Sequence, residues 1–381
     1  MLGLNSPKIS TRRIIWYVSV VMFGVLIIPR IQSYFAYVGV RWLYILLFSF
    51  SLSAVLTPLM RVIALKWNIL DMPGGRKIHE KGTPLLGGVA VMAAFTAALL
   101  GNMVLERQVV VLLCGGIVVA SIGLLDDWKG VSAKLKLLIQ FCVVIILIHS
   151  GIVLALFPKI HWWGYGLNIL FTLLWIIGIT NAMNFIDGMD GLAAGVAAIM
   201  SLFMGIVAMQ TNQPFMGWIA IGMVGSCLGF LPYNFGFRSP AVIFLGDAGS
   251  TFIGFVLAAL AIKGDWADNS RIVSFSAPVL IFWLLIYDMA YITVERIVTG
   301  KVKSIKEWID YVGTDHIHHR LYALLGDRRK AVIFIYLLCL TLGISAIALR
   351  YARPVDGILL VVQAFLITVV VSIAEYSGRN R

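Results

Sequence analysis

The sequence predicts an all-α, polytopic integral membrane protein with about 11 to 12 transmembrane helices. Hydrophobic residues make up 60% of the 381 residues and charged residues only 13%, a balance outside the range of soluble globular domains. Apolar runs repeatedly reach the length that a helix needs to cross a bilayer. A β-barrel is disfavoured, because membrane strands alternate polar and apolar residues and these runs do not.

The apolar runs can be taken as spans in chain order. The first is short and follows a basic stretch, but no small-residue cleavage site follows it, which favours a retained helix over a signal peptide. Only a break near Arg107 separates the third run from the fourth. The predicted spans are 14–29, 42–66, 85–105, 108–125, 137–157, 167–183, 192–210, 215–231, 243–262, 273–296, 331–350 and 355–375.

The basic residues predict the orientation. With twelve spans, 22 of the 30 Lys and Arg residues fall on the side of both termini and 8 on the other, so the first side is expected to be cytoplasmic. Topology and anionic lipid then account for the net charge of +12, and no nucleic-acid partner is needed. Residues 1–41 are expected to form an additional helix and outer loop, 42–375 a catalytic domain, and 376–381 a cytoplasmic tail. The expected cytoplasmic loops are 67–84, 126–136, 181–191, 232–242 and 297–330.

Carboxylates are scarce in this chain, yet five of them stand at the ends of apolar runs. They are Asp126, Asp127, Asp187, Asp190 and Asp247. A carboxylate at a membrane boundary is costly unless it has a partner or a task. Because all five fall on the predicted cytoplasmic side, we expect one acidic active site there, suited to a divalent cation that carries phosphates.

The adjacent pair Asp126 and Asp127 is followed by Lys134 and Lys136. Neighbouring carboxylates repel, so at least one of them favours a nearby cation or a raised pKa. We interpret the pair as a base or a metal neighbour and the lysines as point charges for phosphate oxygens. The alternative is a polar boundary that stops the helix from sliding into the membrane.

Two further segments supply oxygen ligands. In the first, Asn181, Asn184 and Asp187 follow one another at three-residue steps on one helical face, and glycines next to Asp187 and Asp190 let the backbone approach a ligand. Amide and carboxylate oxygens are ligands that Mg²⁺ accepts. In the second, Asp247 stands among small residues near a helix N-terminus, which favours anions. The alternatives are an Asn/Asp/Gly turn for the first and a helix cap for the second.

Two basic segments are candidate phosphate contacts. The segment His316-Ile-His318-His319-Arg320 suits a diphosphate or sugar oxygens, with zinc or a solvated basic loop as alternatives. The loop that carries Arg76, Lys77 and His79 is equally well explained as a positive-inside loop. Asp288, alone within a predicted span, is a functional candidate without an assigned task.

These motifs, in this order between about Asp71 and Leu321, resemble the polyprenyl-phosphate N-acetylhexosamine-1-phosphate transferases. The histidine-rich segment is similar to that of bacterial members that use UDP-N-acetylglucosamine. The resemblance implies transfer of N-acetylglucosamine 1-phosphate to undecaprenyl phosphate with release of UMP, which initiates cell-envelope polysaccharide synthesis. The alternative donors are another UDP-N-acetylhexosamine or UDP-N-acetylmuramoyl-pentapeptide. A transporter is disfavoured, because the charges gather at one membrane face and no internal repeat is present.

The resemblance also implies residue roles. Asp247 would bind Mg²⁺, or Mn²⁺ as a tolerated substitute, with Asn184 as a second ligand. The implied catalytic residues are Asp126, Asp127, Asp187 and Asp247. Together with the contacts inferred above from the residues themselves, the candidate substrate-binding residues are Arg76, Lys77, His79, Lys134, Lys136, Asn181, Asn184, Asp190, His316, His318, His319 and Arg320. The expected partners are a UDP-sugar, a polyprenyl phosphate and membrane lipids in a bacterial cytoplasmic membrane, with a homodimer as a further candidate.

Overall fold

The computed structural model describes residues 11–72, 82–158, 160–236, 240–267, 270–311, 313–349 and 351–379. Within these residues the chain is almost entirely helical, as predicted. The helices are α1 Thr11–Leu26, α2 Pro29–Tyr37, α3 Arg41–Lys66, α4 Gly87–Gly101, α5 Arg107–Lys129, α6 Ala133–His149, α7 Trp162–Ile186, α8 Leu192–Gln210, α9 Pro214–Asn234, α10 Gly246–Lys263, α11 Arg271–Ile281, α12 Trp283–Val298, α13 Ile305–Asp310, α14 Ile317–Leu325, α15 Arg328–Ile347 and α16 Pro354–Arg379.

The described helices confirm a polytopic all-α membrane protein. Eight of them are long and apolar enough to cross a membrane, and up to ten spans result if each of two bent pairs counts as one. The predicted number of twelve requires α4 and α6 as well, which have 15 and 17 residues. At 1.5 Å per residue these two are only about 23 to 26 Å long, shorter than a typical hydrocarbon core.

Three predicted spans differ from the observed helices. The span 14–29 ends early, because Pro29 starts a new helix at 79° to the first, and the span 273–296 is bent by 76° between α11 and α12. Pro278 lies in the last full turn before the second bend, where it cannot donate a helical hydrogen bond. The span predicted to reach 157 stops at His149, and the chain then turns at Gly151, whose φ of +99° suits glycine.

Helix α10 is buried along nearly its whole length, and small residues let its neighbours approach its first turn. A Cβ atom on Gly88 of α4 would lie 2.2 Å from the Cα of Gly249, and one on Gly123 of α5 would lie 2.6 Å from the carbonyl oxygen of Asp247. Small residues at such crossings allow close backbone packing in membrane helices. The end of α5 is thereby brought against the start of α10.

A short antiparallel hairpin closes this end of the bundle. Strands β1 Leu70–Asp71 and β2 Thr83–Pro84 pair with Leu70 opposite Pro84. The carbonyl oxygen of Pro84 accepts a hydrogen bond from the backbone N–H of Phe244 at 2.8 Å, and Gly87 donates its own to the carbonyl of Phe244 at 3.0 Å. The hairpin is therefore tied to the segment that leads into α10.

Candidate active site

A cavity of about 490 Å³ lies beside α14, where α5 and α7 end and α10 and α15 begin. The five aspartates singled out from the sequence all line it, although they are up to 121 positions apart in the chain. The cavity is lined by Leu70, Asp71, Leu85, Asp126, Asp127, Asp187, Gly188, Met189, Asp190, Asn234, Phe244, Gly246, Asp247, His319, Tyr322 and Arg328.

Asp127 caps the N-terminus of α10. Its Oδ1 accepts the backbone N–H of Asp247 at 3.0 Å, and its Oδ2 accepts that of Ala248 at 3.2 Å. A carboxylate at this position satisfies N–H groups that have no partner within the helix and complements the positive end of the helix dipole. Asp127 thus fixes the position of α5 relative to α10, and with it the position of Asp247.

Lys136 joins the two other carboxylates of this wall. Its Nζ lies 2.6 Å from Oδ2 of Asp126 and 3.0 Å from Oδ2 of Asp247. The second oxygen of Asp247 accepts a hydrogen bond of 2.9 Å from Nδ2 of Asn184, which also donates to Oγ of Ser250 at 2.9 Å. Both oxygens of Asp247 therefore meet a donor, and the ammonium group lies where two negative charges converge.

Asp187 and Asp190 belong to the turn between α7 and α8. Burial raises the pKa of Asp187 well above its ordinary value, and the nearby charges of Asp247, Asp127 and Asp190 raise it further. Oδ2 of Asp190 accepts the backbone N–H of Ala241 at 2.9 Å. Burial is thus the main cause of the raised pKa of Asp187, and the neighbouring carboxylates add to it.

The turn itself is held from two sides. Gly191 has a φ of +78°, donates its N–H to Oδ1 of Asn234 at 2.8 Å, and accepts the hydroxyl of Tyr336 at 2.5 Å. A left-handed glycine with both backbone groups bonded gives the loop one conformation. The loop therefore presents Asp187 and Asp190 to the cavity in a defined geometry.

Of the histidine-rich segment, only His319 lines the cavity. Nδ1 of His316 lies 2.7 Å from Oδ2 of Asp288, whose Oδ1 accepts the N–H of Ile317 at 2.7 Å, so Asp288 caps α14 and orients His316. His318 is 1% exposed, packs against Gly188, and neither of its ring nitrogens has a hydrogen-bond partner among the described residues. Asp288, unassigned from the sequence, thus has a positioning role.

The charge states of His318 and His319 follow from their surroundings. Burial lowers the pKa of His318 well below its ordinary value, and His319, His316 and Arg320 lower it further. The pKa of His319 is also lowered, by burial first and then by His316 and Arg328. Both side chains are therefore neutral at neutral pH.

Arg320 points away from the cavity, contrary to the expectation that it binds the donor. It is 2% exposed, its Nε donates to Oε2 of Glu375 in α16 at 2.9 Å, and its Nη1 donates to the carbonyl of Asp315 at 2.8 Å. Its guanidinium also lies 4.0 Å from the centre of the Tyr291 ring. A buried cation requires such partners, and they hold Arg320 in the interior.

Three further expected contacts have other surroundings. Nδ2 of Asn181 donates to Oε1 of Gln140 at 2.7 Å, so this amide ties α7 to α6 instead of lining the cavity. Lys134 is exposed and does not line the cavity. Arg76, Lys77 and His79 fall outside the described residues.

Several residues at or behind the site were not identified from the sequence. Asn234 stands at one end of an apolar run, as the five aspartates do, so its position carried the same signal. Tyr322 and Arg328 lie just beyond the histidine-rich segment and have no motif of their own, and Glu375 lies near the end of the last helix. Only the packing of α14 against its neighbours reveals the importance of these three.

Comparisons with known proteins identify relatives of this chain. The profile of Glycosyl transferase family 4 matches residues 109–265, which include all five aspartates. A probable undecaprenyl-phosphate N-acetylglucosaminyl 1-phosphate transferase of Bacillus subtilis is 34% identical over 307 residues, covering 78% of this chain and 82% of the relative. A decaprenyl-phosphate N-acetylglucosaminephosphotransferase of Mycolicibacterium smegmatis is 28% identical over 350 residues, covering 84% and 85%. An undecaprenyl-phosphate alpha-N-acetylglucosaminyl 1-phosphate transferase of Escherichia coli is 26% identical over 311 residues, covering 77% and 80%.

Proposed function

This chain belongs to Glycosyl transferase family 4, and from that membership we propose that it transfers N-acetylglucosamine 1-phosphate from UDP-N-acetylglucosamine to a polyprenyl phosphate. The relatives are named for this reaction with undecaprenyl or decaprenyl phosphate as acceptor. The products are UMP and a lipid-linked diphosphate sugar. In a bacterial cytoplasmic membrane, this product starts the synthesis of a cell-envelope polysaccharide.

The observation that carries the proposal is the meeting of five carboxylates with Lys136 beside the ends of membrane-length helices. Phosphoryl transfer requires mainly that two phosphates be positioned in line and that their charge be neutralised. A lipid-linked phosphate has to react at a membrane boundary, which is where α5 ends and α10 begins. The arrangement therefore suits a lipid acceptor and a water-soluble donor.

A magnesium ion fits the donor set of this cavity. Among the described lining residues, the carboxylates outnumber the permanent cations. Among the described residues, no three His, Cys, Asp or Glu side chains form a ready cage, and Mg²⁺ commonly takes one or two carboxylates and completes its shell with water and substrate phosphates. Asp247 would hold the ion through its carboxylate and Asn184 through its amide oxygen, with Mn²⁺ as a substitute. Once bound, the ion would neutralise charge on the donor diphosphate.

In the proposed reaction, an oxygen of the lipid phosphate attacks the sugar-bearing phosphorus of the donor in one step, and UMP leaves. The acceptor is already anionic at neutral pH and needs no strong base. Lys136 lies between Asp126 and Asp247, so it can bring the acceptor phosphate next to the donor. Because Asp127 bonds the start of α10 whereas Asp126 contacts Lys136, we assign Asp126 to the acceptor side and Asp127 to holding the helix.

We further propose that the cavity opens to the cytoplasm. The support is the excess of Lys and Arg on the loops that share its side of the membrane. A cytoplasmic site would meet the nucleotide sugar where nucleotides are made. We also propose that the protein forms a homodimer.

The test is an assay of purified protein with Mg²⁺, undecaprenyl phosphate and a panel of UDP-sugars, in which UMP release is measured. Lipid-dependent UMP release with UDP-N-acetylglucosamine is the expected result. If none of the tested UDP-sugars supports lipid-dependent UMP release, the proposed reaction is overturned. A preference for UDP-N-acetylmuramoyl-pentapeptide or another UDP-N-acetylhexosamine would change the assignment of the donor but not the type of reaction. A phospho-sugar adduct trapped on Asp126 or Asp127 would overturn the one-step attack.

A further inference from the structure

The interior position of Arg320 leaves open which cation meets the donor. Its Nε and Nη1 are committed to Glu375 and Asp315, and the side chain is almost fully buried. Moving it into the cavity would leave the buried carboxylate of Glu375 without this cation, which is costly. The guanidinium of the histidine-rich segment is thus a structural group.

A second arginine lies where Arg320 was expected to act. Arg328 is the first residue of α15 and lines the cavity with His319 and Tyr322. Its guanidinium lies 5.4 Å from the centre of the Tyr322 ring, an arrangement that holds the planar group in place without using its donors. Within the described part of the chain it has neither a hydrogen bond nor an ion pair. Arg328 is therefore a positioned cation with its N–H groups available.

The charges of the cavity make this cation significant. Six aspartates line it, whereas among the described lining residues Arg328 is the sole Lys or Arg. A nucleotide-sugar diphosphate carries two negative charges, and the aspartates of the wall would repel it unless a cation offset them. Lys136 is engaged by Asp126 and Asp247 on the α5 side, so it does not offset repulsion near α14.

We propose that Arg328, held by Tyr322, binds the diphosphate of the nucleotide-sugar donor, and that Arg320 only positions the histidine-rich segment. The assignment rests on the proposed function and adds a donor-binding residue to it. A guanidinium suits this task because its planar fork donates two parallel hydrogen bonds to phosphate oxygens. His319, neutral and also lining the cavity, is then free to contact uncharged donor atoms.

The test compares Arg328→Gln with Arg329→Gln in the purified full-length protein. Arg329 is the next residue on the same helix, is exposed, and does not line the cavity, so it controls for loss of one positive charge at this end of α15. For Arg328→Gln we expect KM for UDP-N-acetylglucosamine and the inhibition constant of UMP to rise by about tenfold or more, because a charge-assisted contact is lost. KM for undecaprenyl phosphate and the melting temperature should stay unchanged.

Arg328→Lys separates charge from geometry. It keeps the positive charge but loses the fork, so its KM for the donor should fall between those of the wild type and Arg328→Gln. Tyr322→Leu should also raise KM for the donor, since the guanidinium would lose the ring that holds it.

Three outcomes would overturn the inference. One is an unchanged donor KM in Arg328→Gln, another is an equal rise in Arg329→Gln, and the third is a rise confined to KM for the lipid, which would place the arginine on the acceptor. Each of these outcomes can be interpreted only if the wild-type enzyme is active. If the wild type shows no lipid-dependent UMP release, the proposed function fails instead, and the two failures are distinguishable.

Discussion

Arg320 and Glu375 join the histidine-rich segment to the last helix of the protein through a buried hydrogen bond of 2.9 Å between Nε and Oε2. The side chains are 2% and 3% exposed and stand 55 positions apart. A buried arginine that loses its carboxylate retains its charge and its desolvation cost. The last helix thereby contributes to the shape of the active site without reaching it.

We therefore expect Glu375→Gln to lower the free energy of unfolding by about 3 kcal/mol, because the buried Arg320 loses its hydrogen-bonded carboxylate and keeps, among the described residues, only that of Asp288, whose Oδ1 lies 3.7 Å from Nη1. The measurement is the thermal unfolding of the purified protein in detergent. Glu106→Gln is the matched control, since Glu106 pairs with Lys263 at 3.0 Å but is 43% exposed, and such pairs contribute less than about 1 kcal/mol. Equal shifts for both variants would contradict the structural role given to Glu375.

Asp247→Asn is expected to reduce turnover by at least about 100-fold, because it removes a charge from the point where Lys136 and Asn184 converge. UMP release at saturating donor and acceptor measures the loss, and titration with Mg²⁺ shows whether metal affinity falls as well. Asp356→Asn, at the exposed pair with Arg353, should retain full activity. Full turnover of Asp247→Asn would refute the metal assignment.

Lys136→Gln should impair the enzyme much more than Lys134→Gln. Only Lys136 contacts Asp126 and Asp247, so its loss leaves two close carboxylates to repel each other and the acceptor phosphate. We expect kcat/KM for the lipid to fall by about 100-fold in Lys136→Gln and by less than about threefold in Lys134→Gln. The reverse order would show that the exposed lysine meets the acceptor.

The buried His318 predicts a pH dependence of stability. Its pKa in the folded protein is depressed, chiefly by burial and then by His319, His316 and Arg320, so below the ordinary value of about 6.5 the unfolded chain binds a proton that the folded protein does not. Its contribution to stability is thus complete above about pH 6.5 and is lost as the pH falls towards the folded pKa. Melting temperatures measured from pH 7.5 to 5 should fall less steeply in His318→Gln than in the wild type. Parallel curves would count against a neutral buried imidazole.

Gly188→Ala tests the contact between the aspartate turn and the histidine-rich segment. A Cβ at Gly188 would lie 2.4 Å from Nε2 of His318, so one of the two segments has to move. We expect an overpacking cost of about 1 to 3 kcal/mol and a fall in kcat, read from unfolding and from UMP release. In Gly178→Ala, where a Cβ meets no atom within 4 Å, neither the stability nor kcat should fall. Wild-type kcat in Gly188→Ala would show that the two segments are not coupled.

Much of the site could be anticipated from the sequence, because the free-energy cost of placing a charge in the membrane restricts where charged residues occur. Asp126, Asp187 and Asp247 were recognised by their positions at the ends of apolar runs, and the structure places all three around one cavity. Arg320 was assigned to the donor because it completes a motif, yet its side chain faces Glu375. A motif fixes which residues are neighbours in the chain, whereas the direction of each side chain depends on which helices pack around it.

The sequence by itself determined the membrane class and the helix ends at which the carboxylates stand, since both follow from local composition and spacing, and the resemblance of its motifs indicated the family. The tertiary structure decided which of those residues meet. Glycine contacts bring α4 and α5 against the first turn of α10, and Lys136 reaches Asp247 across 111 positions. The tertiary structure also determines that Arg320 faces the interior and that Arg328 faces the cavity. Burial and pairing of charge depend on groups far away in the chain, so sequence spacing cannot encode them.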